Sequence, residues 1–338
     1  MASAVFALLC VGLLLVGILL RALLLRLGLA WAKSRKATVV RIVLATILVV
    51  ALEFGLNVTA GVGASLLPVL SLPLAAVAFV AGVMISCAFF TAIFEISFVR
   101  SLQAWVPTLL APVVMVALLL LVVRPFAFEA FTSPTNAMAP TLLGNHWIGT
   151  CTTCGSPSYC TPVPEYRLAV DPQNRICDQF HVTQPKPIDD EVHSADRFLV
   201  AKFVRPQRWD IIVFRYPEQP SVLYVMRLVG LPGEEITIRD GQAWADGQAL
   251  TPPDDIRGIE YLSELERGFQ EAWGSPNRPA LLADDEYFVL GDFSAQSMDS
   301  RFWEQGASGH APYAVPKSHL YGVVTHIYWP PSRWRAFR

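Results

Sequence analysis

The sequence predicts two parts in series: an α-helical membrane region of about four helices, then a mostly β domain. Two observations carry this. The 338 residues are 53% hydrophobic and only 16% charged, against about 25% charged in an ordinary soluble domain, and the deficit is concentrated before residue 125. From Ser194 onward, short runs rich in Val, Ile, Phe and Tyr are punctuated by Pro, Gly and Asp, the pattern of strands and turns. The expected boundaries are residues 1–125 for the helices and 126–338 for the β domain, with a cysteine-containing insertion at 144–193. A net charge of −2 gives no basis for nucleic-acid binding.

A membrane helix needs about 20 predominantly apolar residues. Four stretches qualify: Ala4 to Leu20, Ile42 to Gly61, a run within Leu72 to Phe94, and Thr108 to Val123. The first is read as a retained helix and not a cleaved leader. No Lys or Arg precedes it, although Ala30 to Ala32 offers an A-x-A-like site. Arg21, Arg26, Lys33, Arg35, Lys36 and Arg41 crowd the link after the first helix, which positive charge assigns to the cytoplasm. Arg100 assigns the third link likewise. The β domain is then expected on the extracytoplasmic side of the cell membrane. Glu53 falls inside the second helix, where a carboxylate is either functional or a neutralised packing group. Glu95 is expected to reach the interface.

In the soluble half, the runs RFLVAKFV, DIIVFRY, VLYVMRLVG, EITIRD, QAWADG, EYFVLGD and YGVVTHIYW read as strands. Ile259 to Phe269 alone reads as a helix. The stretch from Gly144 to His193 is rich in Pro, Asp, Gln and Cys, has no sustained apolar period, and reads as an insertion into the β domain anchored by its cysteines. Cys151, Cys154, Cys160 and Cys177 lie within it. The Cys151-Thr-Thr-Cys154-Gly knuckle resembles half of a zinc ribbon, with Cys160 and Cys177 completing four ligands. An extracytoplasmic location equally suits two disulfides, and both readings stand.

Four blocks carry chemistry. They are PTNAMAPTL at Pro134 to Leu142, WDIIVFRYPEQP at Trp209 to Pro220, YVMRLVGLPGE at Tyr224 to Glu234, and GDFSAQSMDSR at Gly291 to Arg301. In this order they resemble the blocks of bacterial type I signal peptidases, membrane-anchored Ser/Lys endopeptidases that remove signal peptides from exported proteins. The resemblance implies a membrane protein with signal peptides or preproteins as partners, membrane lipid around its helices, and no cofactor for the chemistry. It places Ala137 where the family has its nucleophilic serine and Met226 where it has the lysine general base. Thr135 takes the place of a hydroxyl side chain that helps bind the oxyanion. Ser297 matches the serine that orients the lysine, and Asp299 and Arg301 match a supporting pair. Asn136, Phe293, Ser294 and Ala295 depart from the family pattern.

The family mechanism requires a hydroxyl to attack the scissile carbonyl and a neutral amine to take its proton. Ala137 and Met226 supply neither. Loss of a catalytic dyad or triad costs on the order of 10⁶-fold in rate. The sequence therefore predicts a non-cleaving homologue that binds signal-peptide or exported-protein segments. The alternative is an active, divergent signal peptidase using a substitute nucleophile and base drawn from Ser133, Thr135, Lys202, His310 and His326.

Overall fold

The computed structural model describes residues 2–66, 68–162, 174–183, 191–262 and 271–337. They form two compact units, residues 4–124 and residues 125–338 with 1–3.

In the first unit, helix α1 runs Ala2–Trp31, α2 Val39–Leu66 and α3 Ser71–Phe94. A fourth helical run spans Phe98–Phe126. It contains a 3₁₀ turn at Val106–Leu109, where Pro107 removes a backbone donor, and a π stretch at Leu119–Val123. All four are long and apolar enough to cross a membrane. The first, second and fourth extend well beyond the apolar cores read from sequence, because a helix continues through polar flanking residues once its backbone bonds propagate. Large apolar side chains such as Leu8, Leu19, Phe54 and Leu121 face outward, as a lipid environment requires. The helices meet through Leu25, Leu29, Ala45, Val49, Cys87, Phe90 and Ala104. Gly28 lies against the backbone of Ala104, 2.8 Å from where a side-chain carbon would sit. Close backbone approach through small residues is how helices associate in lipid.

Two charges depart from the sequence reading. Arg21 is no loop residue: it lies within α1 and forms a two-pronged ion pair with Glu53 of α2, both contacts at 2.6 Å. Glu53 is therefore a paired carboxylate. The pair lines a cavity of about 580 Å³ among Gly17, Phe79, Gly82 and Met115. Glu95 pairs with Lys36.

In the second unit, β1 spans Phe128–Thr132. The strands β2 (Trp147–Thr150), β3 (Pro157–Cys160), β4 (Arg175–Cys177) and β5 (Val182–Thr183) follow. Then come β6 (Arg197–Ala201), β7 (Ile211–Tyr216), β8 (Gln219–Gly230), β9 (Glu235–Arg239), β10 (Gln242–Ala245) and β11 (Gln248–Ala249). The last are β12 (Ala280–Leu281), β13 (Glu286–Leu290), β14 (Val315–Pro316), β15 (Leu320–Trp329) and β16 (Arg335–Ala336). The main sheet has the order β1-β6-β15-β7-β8-β13-β14, with β16 paired to β15. The strands of a smaller sheet, β11-β10-β9-β12, lie in sequence between β8 and β13 of the main one. The pairings of all named strands are antiparallel, as the expected mostly β architecture demands.

The stretch from Gly144 to His193, which shows no apolar period in sequence, builds with its described residues a third antiparallel sheet, β2-β3-β4-β5. These strands are two to four residues long, too short to print a period. The helix expected at Ile259 to Phe269 is absent from residues 259–262, which are not helical; residues 263–270 lie outside the described residues. Ile259 and Tyr261 are instead buried in the core of the smaller sheet. The main core gathers Met138, Leu142, Phe198, Ile212, Phe214, Met226, Val289 and Trp303. At about 25 cal/mol per Å² of buried apolar surface, this cluster is what holds the site segments to the sheet.

Candidate functional site

Three chain segments converge at one end of the main sheet. After β1, residues 133–143 form a compact turn. Ser133 Oγ donates to the Thr135 carbonyl at 2.8 Å. The amide of Ala139 donates to Asn136 O at 3.0 Å and that of Leu142 to Met138 O at 2.9 Å. Met138, Ala139, Leu142 and Leu143 are fully buried, so apolar burial fixes the turn on the sheet while Ala137, just before them, stays partly accessible.

The second segment is β8, whose residue Met226 faces Ile212 of β7 across the sheet. The third is the loop after β13. Its Phe293 amide donates to Ala137 O at 2.9 Å, joining the first and third segments by main chain. Gly291 is required there: a side-chain carbon would come within 2.7 Å of Ala137 O and would overlap Ser297.

Ser297 Oγ donates to Met226 Sδ at 3.5 Å. The serine is fully buried and Met226 is 4% exposed. A thioether is a weak acceptor, so the serine has a partner, though a poor one. Ala137 packs against the apolar cluster that contains Met226. The structure thus brings Ala137, Met226 and Ser297 to one locality. At that point Ala137 and Met226 present a methyl group and a thioether beside the buried Ser297 hydroxyl.

A charged framework surrounds this locality. Arg227 Nε and Nη2 donate to Asp292 Oδ1 and Oδ2 at 2.6 and 2.5 Å. Thr141 Oγ1 donates to the same carboxylate at 2.5 Å, and Arg227 Nη1 donates to the Trp209 carbonyl at 2.7 Å. Burial works against the guanidinium charge, but Asp292 more than compensates and leaves Arg227 above its ordinary pKa. Asp299 accepts from the Gly291 amide at 3.0 Å and from Arg301 Nε and Nη2 at 2.8 and 2.7 Å. Arg301 also donates to Leu262 O, Ser294 Oγ and Ser294 O. Both partners of the Asp299–Arg301 pair are fully buried. Such a pair, with its remaining donors satisfied, holds a loop in one geometry. Thr135 lies in the turn, its carbonyl occupied by Ser133.

Two of the substitute groups proposed from sequence, Lys202 and His310, are engaged elsewhere. Lys202 Nζ donates to Glu129 Oε2 at 2.7 Å and to Tyr321 Oη at 2.8 Å. Burial lowers its pKa, but those two bonds outweigh it and raise the amine above its ordinary value, which keeps it protonated and unfit as a base. His310 Nδ1 lies 3.0 Å from Glu286. His326 is buried in β15, and that burial depresses its pKa.

In the insertion, the thiolate ligands read from sequence separate. Cys151, Cys154 and Cys177 come together with His181, their ligand atoms all within 4.8 Å of one another. Cys160 is not among them. It is buried on β3, and burial pushes its thiol up. The Cys154 thiol is held down at about 7, chiefly by hydrogen bonds from the Ser156 side chain and backbone. Burial pushes the Cys177 thiol up to about 11. His181 was missed because it lies four residues after Cys177, a spacing that points to a ligand only once the intervening chain is known to turn.

The residues that depart from the family pattern also find a reason. Asn136 Nδ2 donates to Asn145 O at 2.7 Å and to Thr161 Oγ1 at 3.3 Å, and its Oδ1 accepts from the Gly144 amide at 2.9 Å. Phe293 and Ala295 pack with Ala139, Leu143, Tyr159 and Ile176 in one buried cluster. Asn136, Phe293 and Ala295 are thus the surface on which the insertion sits.

Residues 176–329 match the family model described as "Signal peptidase, peptidase S26". That span takes in the second, third and fourth blocks and begins after the Ala137 segment. Among curated proteins, signal peptidase I of Pseudomonas aeruginosa is 26% identical over 203 residues, 56% of this chain and 60% of the relative. Signal peptidase I of Leptolyngbya laminosa is 32% identical over 155 residues, 41% of this chain and 62% of the relative. The chain therefore spans about three fifths of the length of these relatives. A crystal structure of a signal peptidase I from Enterococcus faecalis is 29% identical, covering 36% of this chain and 98% of that one, with a TM-score of 0.26.

Proposed function

We propose that the protein is a membrane-anchored homologue of signal peptidase I that binds signal-peptide or exported-protein segments without cleaving them, a reading supported by the match of residues 176–329 to the signal peptidase, peptidase S26, family model. The observation that carries this reading is the contact between Ser297 and Met226. Where the family's mechanism needs a neutral amine, a thioether fills the space, and the neighbouring Ala137 has no hydroxyl. A surviving oxyanion site and binding alone leave about 10³ to 10⁴ over water, too little for processing exported proteins.

Retained binding is supported by β1. It forms one edge of the main sheet and leads directly into the turn that carries Ala137. An extended peptide can add to such an edge through main-chain bonds. Phe131, Thr132, Asn145, Ala195, Arg197 and Tyr328 line a cavity of about 310 Å³ beside it, suited to a small side chain of the added strand. Binding of this kind uses no cofactor. Lys33, Arg35 and Lys36 between α1 and α2 favour a cytoplasmic link there and an extracytoplasmic β domain. Protease added outside intact spheroplasts is expected to degrade that domain, and its survival overturns the orientation.

The test of function is a preprotein cleavage assay on the full chain in proteoliposomes. The native chain is expected to leave the preprotein intact and to bind a peptide spanning its cleavage region. Cleavage by the native chain overturns the non-cleaving reading. Absence of measurable peptide binding overturns the retained groove. The combined Ala137→Ser and Met226→Lys variant is expected to restore slow cleavage, and either change alone is not.

A further inference from the structure

The insertion carries two tight turns at the same end of its sheet. Residues 151–156 join β2 to β3, and residues 178–181 join β4 to β5. In the first turn the Gly155 amide donates to Cys151 O at 2.9 Å and the Cys151 amide to Ser156 O at 2.8 Å. Gly155 has a φ of 73°, a conformation that glycine adopts without strain. In the second, the Phe180 amide donates to Cys177 O at 2.8 Å and the Cys177 amide to His181 O at 3.1 Å. Phe180 has a φ of 64°, which an ordinary side chain adopts at a cost. Each turn thus presents two ligand side chains to the other.

The distances between those ligands fit a metal better than a covalent bridge. Cys154 Sγ and Cys177 Sγ are 3.7 Å apart, and Cys151 Sγ and His181 Nδ1 are 4.0 Å apart. A tetrahedron with zinc–sulfur bonds of about 2.3 Å has edges of about 3.8 Å. A disulfide requires about 2.05 Å. Three thiolates and one imidazole are a donor set that suits zinc, and four protein ligands make the site closed and structural.

We infer that Cys151, Cys154, Cys177 and His181 bind one zinc ion, and that this ion locks the insertion as a brace on the Ala137 segment. Each entering thiol gives up its proton to solvent. Ile176, next to Cys177, packs on Ala139, Leu143, Phe293 and Ala295. Phe180, between Cys177 and His181, packs against that same cluster and against the core of the smaller sheet. Gln296 Nε2 donates to Asn174 O at 3.2 Å. Closing the two turns around an ion therefore holds in register the strands that contact the site. The inference stands apart from peptide binding, since it rests only on the ligand geometry.

The test is metal analysis of the full chain, purified in detergent without chelator, with a parallel count of alkylatable thiols and with cobalt(II) as a spectroscopic substitute. The expected result is one zinc per chain and, with cobalt, the visible bands of a tetrahedral thiolate site. Cys160→Ser is expected to keep the zinc. Cys177→Ser and His181→Ala are expected to lose it and to make the insertion sensitive to protease, while His181→Cys keeps it. A native chain without zinc overturns the inference, whether its thiols are free or paired in disulfides. Zinc that survives His181→Ala but not Cys160→Ser overturns the ligand set. The cobalt spectrum of the native chain keeps the inference falsifiable if a ligand variant fails to fold.

Discussion

Ser297 donates its buried hydroxyl to the thioether of Met226 at 3.5 Å, the weakest acceptor that could stand in that place. Ser297→Ala is therefore expected to lower stability by less than about 1 kcal/mol, below a typical intramolecular hydrogen bond. Met226→Leu is expected to be nearly as mild, under about 1.5 kcal/mol. Met226→Lys alone places an amine in an apolar cluster, where it must be desolvated or lose its charge. A clear drop in the urea midpoint is expected for that variant and not for the other two. Equal drops for all three would contradict this account of the site.

Phe293 is fully buried between the insertion and the Ala137 turn. Phe293→Asn is expected to destabilise the protein by about 3 kcal/mol or more, since it removes a large core side chain and buries an amide. Limited proteolysis checks where the loss falls. Cleavage should appear first within residues 144–193. A variant as resistant as the native chain would show that the insertion does not depend on this packing.

Two histidines make the β domain sensitive to acid. Burial is the main cause that holds His146 below its ordinary value of 6.5, although its bond to Gly144 O pulls upward and the stacked His193 pulls downward. Burial alone depresses His326. The unfolded chain takes up protons near pH 6.5, and the folded chain does so only at lower pH. Stability present above about pH 6.5 is therefore lost as the pH falls below it. Urea midpoints for the native chain and for His146→Asn, measured at pH 7.5 and 5.5, check this. The native chain should lose more stability across that interval than the variant. An equal loss removes His146 from the explanation.

Arg21 and Glu53 form a pair within the helical unit. Glu53→Gln leaves a guanidinium with no carboxylate partner in an apolar setting, a cost that exceeds the value of the pair itself. Thermal unfolding in detergent is expected to show a clear loss for Glu53→Gln and partial recovery when Arg21→Leu is added. A double variant less stable than the single one would mean that the pair serves as more than a structural tie.

Local composition determined much of this protein. Apolar runs of the right length specify four membrane helices, because the cost of an unsatisfied backbone in lipid leaves few alternatives. Valine- and isoleucine-rich runs between turn residues specify β6 to β10, β13 and β15 for similar local reasons. The identities of Ala137 and Met226, where the resemblance implies a serine and a lysine, carry the proposal of a non-cleaving protein. The insertion's strands were illegible because each is held by its neighbours and too short to carry a pattern. The tie between Arg21 and Glu53, 32 residues apart, depends on how two helices face each other. His181 became a ligand partner, and Cys160 ceased to be one, only when two turns closed on each other. Asn136 and Phe293 resemble random departures along the chain, whereas in space they form one contact surface. Tertiary structure decided these points because hydrogen bonds, packing and coordination depend on distance in space, and residues 150 positions apart leave no joint mark on a single sequence.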